Sequence, residues 1–179
     1  MDKTAVLVID MINTYEHKDA ERLVSSVRET LPAMRRLIRR ARDAGTDVIY
    51  VNDNFGRWRS DHREFLAACL DGPHGDLVRP IAPDPESMFV VKARHSAFFQ
   101  TPLEYLLDRR GVQRVVLCGQ ATEQCVLYSA IDAHVRHFRI VVPRDAVAHI
   151  HPDLADAALR MIELNLDARV CPEDQVAFA

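Results

Sequence analysis

Ala5-Val6-Leu7-Val8-Ile9-Asp10 is an unbroken apolar, largely branched run that stops abruptly on a carboxylate. A run without polar alternation marks a strand covered on both faces, as in a parallel sheet. The pattern recurs at Thr46–Val51, Met88–Val91, Val112–Gly119 and Phe138–Val142, with a weaker sixth run at Ala168–Cys171. Helical patterns fall between these runs. Thr30–Ala44 places Leu31, Met34, Leu37, Ile38 and Ala41 on one face, and Gly45 supplies a stop. A proline inside a helix costs about 3 kcal/mol, so Pro32 sets the start of this helix near Thr30 and leaves 19–28 as a separate short piece. Thr101 reads as an N-cap with Pro102 at the first helical position, opening a helix to about Arg110. Further helical patterns span Glu123–His137 and Pro152–Leu166.

Strands alternating with helices predict a three-layer α/β/α domain, doubly wound around a mainly parallel six-stranded sheet. A single domain over residues 1–179 is expected from the length. The stretch Asn52–Pro85 is irregular apart from a short helical pattern near 61–70, and it is long enough to be a functional excursion.

Composition removes several classes. Twenty-three Lys and Arg against 26 Asp and Glu give a net charge of −3, which argues against a nucleic-acid partner. The five arginines at 35, 36, 39, 40 and 42 read as the solvated face of an amphipathic helix. No apolar run approaches the roughly 18 residues that span a bilayer, and the N-terminal run is too short for a signal segment. The cysteines at 69, 118, 125 and 171 form neither a C-x-x-C pair nor a zinc-site spacing. Reduced thiols and a cytoplasmic location are therefore expected. The six glycines build no dinucleotide fingerprint, phosphate-binding loop or serine nucleophile elbow. No cofactor is expected.

Ligands of open α/β sheets bind at the carboxyl ends of the strands. Asp10 follows the first strand, Asn52 and Asp53 the second, Lys92 the third, and the turn 119–125 the fourth. A carboxylate, an ammonium and a thiol thus share one rim. With Thr122 as N-cap, Cys125 falls in the first helical turn, where the dipole and Lys92 favour a thiolate. Asp10 is placed to take the thiol proton and return it to a leaving group, and backbone N–H groups of the turn to cradle an oxyanion. Cys69, Cys118 and Cys171 read as inert core thiols. Phe55, Trp58 and Tyr128 are candidate pocket aromatics, with packing in the core or at a subunit interface as the alternative. Asn13 and Gln120 are candidate pocket residues beside Asp10 and the turn. His95 and Ser96 read as orienting their loop, His62 as polar surface, and His149 and His151 as a small polar cluster whose spacing shows no ligand geometry.

The stretches 5–15, 48–53, 90–98, 115–126 and 140–148 together resemble the isochorismatase-like cysteine hydrolase family over nearly the whole chain. The motif G-x-x-T-x-x-C-V at Gly119, Thr122, Cys125 and Val126 carries the resemblance, with Asp10–Asn13 and Lys92–Phe98 beside it. The resemblance implies a catalytic triad of Cys125, Lys92 and Asp10 that cleaves C–N bonds of small amides or N-carbamoyl groups through a thioester. It also implies a cis peptide at Gln120–Ala121, with the N–H groups of Ala121 and Cys125 forming an oxyanion hole, and a homo-oligomer, dimer or tetramer. Family nicotinamidases bind a metal through an Asp-x-His pair and a further histidine. Here the matching positions hold Asp53-Asn54-Phe55, so no metal is expected. Two other readings on the same scaffold are an enol-ether hydrolase using Asp10 as acid, and a non-catalytic binding subunit.

Overall fold

The computed structural model describes residues 2–56 and 61–178. Six parallel strands form one sheet: β1 (Thr4–Ile9), β2 (Asp47–Asp53), β3 (Met88–Lys92), β4 (Arg114–Gly119), β5 (Arg139–Pro143) and β6 (Arg169–Cys171). Their order is β3-β2-β1-β4-β5-β6. The chain winds outward from β1, returns to the middle, and winds outward the other way from β4. A crevice opens at the carboxyl ends of β1 and β4, where the winding reverses.

Strand alternation divides the core into two layers. Val6 and Val8 of β1, with Val48, Tyr50, Val116 and Cys118, pack on the side of helix α1 (Ala20–Asp43). Helix α2 (His62–Asp71) and the single turn α3 (Gly75–Val78) contribute Cys69, Leu77 and Val78 to that layer. Ala5, Leu7 and Ile9, with Ile49, Val51, Val115 and Leu117, pack on the other side. Helices α4 (Leu103–Arg110), α5 (Leu127–Val135) and α6 (Pro152–Asn165) cover them.

Helix α1 corrects the expected break at Pro32, for it runs unbroken through that residue. Leu23 and Val27 before the proline, and Met34, Leu37, Ile38 and Ala41 after it, are all buried on one stripe. Burying a large aliphatic side chain stabilises by roughly 1.5–3 kcal/mol. Several such side chains on each side outweigh the cost of one exposed proline. Helix α4 starts one residue later than expected, and the Thr101 hydroxyl still accepts the Leu103 N–H at 3.3 Å. The arginine face of α1 is not simply solvated. Arg36 and Arg40 pair with Glu173, which is buried. Arg40 also donates to the carbonyls of Glu173 and Val176, fastening the C-terminal segment over the helix.

Candidate active site

Asp10 follows β1 with a left-handed backbone, φ 55°, a conformation that aspartate tolerates better than most residues. Its N–H donates to the Val51 carbonyl at 2.9 Å, and its Oδ1 accepts the Asp53 N–H at 2.7 Å. These bonds aim the second carboxylate oxygen back over the sheet. Lys92, the last residue of β3, reaches across β2 to meet it. The Lys92 Nζ lies 2.8 Å from Asp10 Oδ2, 3.5 Å from Cys125 Sγ and 3.6 Å from Asp53 Oδ2. It also donates to the Arg94 carbonyl at 3.0 Å.

The thiol arrives from β4. Gly119 has φ 117°, and a Cβ there would sit 2.1 Å from the Ile9 carbonyl oxygen, so only glycine lets β4 end this close to β1. The Gln120–Ala121 peptide bond is cis. Thr122 does not cap the next helix as expected. Its N–H and its hydroxyl both donate to the Ala148 carbonyl, at 2.8 and 2.9 Å. The Ala148 N–H returns a bond to the Gly119 carbonyl at 2.8 Å. Residues 146–148 therefore act as a short parallel partner for the end of β4. The Ala121 carbonyl accepts the N–H groups of Gln124 and Val126, at 3.0 and 3.1 Å. The result is a π-helical turn, Thr122–Val126, that leads into α5 and carries Cys125. Two side chains absent from the sequence reading brace this turn. Glu123 Oε1 accepts the N–H groups of Ile150 and His151. Ser129 donates to the Cys125 carbonyl at 2.6 Å and accepts the Ala97 N–H at 2.9 Å.

Asp10, Lys92 and Cys125 are 6%, 1% and 9% exposed, so their charges interact in a poorly solvated place. Burial pushes the Cys125 thiol well above its usual range, the Asp10 carboxylate raises it further, and Lys92 offsets only part of this. The expected thiolate is thus corrected to a resting thiol: desolvation outweighs the nearby ammonium. Burial likewise raises Asp10 against the opposing pull of Lys92 and of the Cys125 hydrogen bond. Burial works downward on Lys92, but Asp10 and then Cys125 outweigh it and raise its pKa. A permanently charged ammonium therefore stands beside a carboxylate and a thiol that compete for one proton.

The other expected residues divide. Phe55, with a left-handed backbone, and Tyr128 are exposed, and Phe55 packs on Phe65 with ring centroids 5.5 Å apart. Trp58 lies outside the described residues. Asn13 and Gln120 are buried and engaged internally. Asn13 Oδ1 accepts the Tyr15 N–H at 2.7 Å. Gln120 Nε2 donates to the Asp10 carbonyl at 2.6 Å, and its Oε1 accepts from the Tyr15 hydroxyl. Gln120 thus braces the Asp10 turn, while Asn13 caps the Tyr15 N–H two residues further on. His95, read as orienting its loop, lies against Cys125: its Nδ1 is 3.6 Å from Cys125 Sγ. Ser96 does the docking, donating to Asp132 and accepting the Phe98 N–H.

The donors beyond β2 do not fit a metal. Asp53 Oδ1 accepts the Phe55 N–H, and its Oδ2 faces Lys92. The His62 ring is stacked on Phe89, with centroids 4.7 Å apart. Among the described residues, no three His, Cys, Asp or Glu side chains gather as a metal would require.

The isochorismatase domain profile matches residues 4–174. The chain is 33% identical over 172 residues to the isochorismatase family protein YaaI of Bacillus subtilis, covering 96% of this chain and 95% of that protein. It is 31% identical to the maleamate amidohydrolase of Pseudomonas putida, over 88% of this chain and 78% of the relative. The solved N-carbamoylsarcosine amidase of Thermoplasma acidophilum superposes with a TM-score of 0.73 at 29% identity, over 97% of this chain and 98% of that one. A doubly wound fold with this profile across nearly all of it places the chain in the isochorismatase family.

Proposed function

We propose that this protein is a cysteine amidohydrolase that cleaves a C–N bond of a small amide or N-carbamoyl compound through a thioester. One observation carries the reading: a buried ammonium sits 2.8 Å from the Asp10 carboxylate and 3.5 Å from the Cys125 sulfur. The amidohydrolase and amidase named above as similar proteins support a C–N bond as the one broken.

In this reading Asp10 takes the thiol proton as the sulfur attacks the substrate carbonyl. The transfer is internal to the buried pair, so the site keeps its net charge, and Lys92 steadies the negative charge on whichever partner holds it. The carbonyl oxygen becomes an oxyanion in a hole formed by the N–H groups of Ala121 and Cys125. The leaving nitrogen takes up one proton as the C–N bond breaks, so the amine departs neutral and leaves a thioester, which water then hydrolyses. No step passes through a metal or cofactor. In this reading the exposed rings of Phe55, next to Asp53, and Tyr128, against His95, contact the substrate.

The test is ammonia release from a panel of small amides and N-carbamoyl compounds. Cys125→Ala should lower turnover by about 10³-fold or more, and Asp10→Asn by about 10²–10⁴-fold. Full activity in Cys125→Ala sinks the nucleophile and would point to acid chemistry by Asp10.

The same proposal makes the protein a cytoplasmic homo-oligomer, dimer or tetramer. Four unpaired cysteines suit a reducing compartment. Ile131 and Val135 on α5, and Leu154, Met161 and Leu164 on α6, are exposed and apolar, as a subunit interface requires.

A further inference from the structure

Cys125 Sγ is approached by nitrogen from two sides. Lys92 Nζ comes from the buried side at 3.5 Å. His95 Nδ1 comes from the open side at 3.6 Å. The His95 ring also lies 5.2 Å, centroid to centroid, from the exposed ring of Tyr128. His95 is itself exposed, whereas Asp10 and Lys92 are not. On the open side His95 is the acid–base side chain next to the sulfur, so a nitrogen that leaves, or a water that arrives, on that side meets it first. Imidazole is a side chain well suited to giving and taking a proton.

We infer that His95 is the acid–base residue of the open face, which protonates the leaving nitrogen and then deprotonates the hydrolytic water. The inference rests on the reading of Cys125 as nucleophile. The two proton carriers divide the cycle. Asp10 takes the thiol proton while the C–S bond forms. Imidazolium at His95 gives its Nδ1 proton to the nitrogen as the C–N bond breaks, leaving thioester, neutral imidazole and protonated Asp10. Water attacks the thioester carbonyl and gives a proton to His95 as the C–O bond forms. The C–S bond then breaks, Asp10 returns its proton to sulfur, and both carriers end as they began. The cycle consumes one water and releases one amine and one carboxylic acid.

The groups that bear on His95 are Cys125 from the π-turn, Tyr128 from α5, Lys92 from β3 with Asp10 behind it, and Arg94 on its own loop. Acylation needs imidazolium, so kcat/KM should fall as pH rises. Thioester hydrolysis needs the neutral ring and should fall in the opposite direction.

The experiment compares wild type, His95→Gln, His95→Phe, His95→Gly and Cys125→Ala across pH, on an amide that the wild type turns over in the ammonia-release panel. Turnover should drop by about 10²-fold in His95→Gln and His95→Phe, and the limb of the pH profile that His95 supplies should vanish. Added imidazole should restore part of the activity of His95→Gly. Alkylation of Cys125 by iodoacetamide should stay near the wild-type rate in these variants, because it moves no proton to a leaving nitrogen. Wild-type turnover with an unmoved profile in His95→Gln and His95→Phe overturns the role while leaving Cys125 in place. A drop with an unmoved profile and no imidazole rescue assigns His95 to packing on Tyr128, and also overturns it. An active Cys125→Ala overturns the nucleophile itself, and the His95 role with it.

Discussion

At the scale of single residues, the chemistry turns on where one proton rests. A lone cysteine at the start of a helix reads as a thiolate, because the dipole and a lysine both favour negative charge. In the folded protein, burial and the adjacent Asp10 carboxylate reverse that preference. The consequence is measurable. A free thiol ionises near pH 8.5, so its alkylation rate levels off above that value. The rate at Cys125 should instead keep climbing with pH beyond that point, read by mass spectrometry of iodoacetamide-treated protein. A plateau at or below the ordinary thiol range would contradict the resting thiol. Cys118 serves as the internal control: burial alone pushes its thiol up to about 12, and it should remain unlabelled throughout. The identities of Asp10, Lys92 and Cys125 as candidates were legible, since each ends a strand or opens the turn after one. His95 was not, because its nearness to sulfur depends on how its loop folds back over α5. The signal that pointed to it was only its place three residues after Lys92.

At the scale of elements, strands were legible to within about two residues, because an apolar run covered on both faces has no competing explanation at that length. Helix ends were less so. Local cost alone stops a helix at Pro32, yet the buried stripe on either side carries α1 past it. The turn after β4 is the more telling case. Thr122 has the chemistry of an N-cap, but its hydroxyl goes to Ala148, a residue far along the chain that the sequence could not pair with it. The element that most constrains the site is the junction of β4 with β1 at Gly119. A Cβ at this position meets backbone, not a movable side chain, and the φ of 117° is hostile to other residues. Gly119→Ala should therefore cost about 3 kcal/mol, seen as a lower urea midpoint, and should displace the turn that carries Cys125. A midpoint equal to wild type would mean that the junction relaxes freely. Gly45→Ala is a fitting companion variant, since that position also has positive φ but open space around it.

At the scale of the whole molecule, the reversal of winding between β1 and β4 brings distant parts of the chain to one crevice. Asp10, Lys92 and Cys125 come from three strands that lie far apart in sequence and side by side or nearly so in the sheet. The same architecture leaves the outer faces of α5 and α6 with exposed apolar side chains, at Ile131 and Val135 and at Leu154, Met161 and Leu164. Sedimentation of the wild-type protein should give a dimer or tetramer, and Val135→Glu combined with Leu164→Glu should shift it toward monomer, since a buried unpaired carboxylate is costly in an apolar interface. A monomeric wild type would remove oligomerisation from the proposal. The sequence by itself determined the layers, the parallel sheet and the three residue types on one rim. These follow from local runs and from the rule that strand ends carry the site. Only the tertiary structure decided the proton's resting place, the strut that Gln120 forms against Asp10, and the approach of His95 to sulfur. Each of these depends on distances between segments remote in the chain, and on how much water their packing excludes.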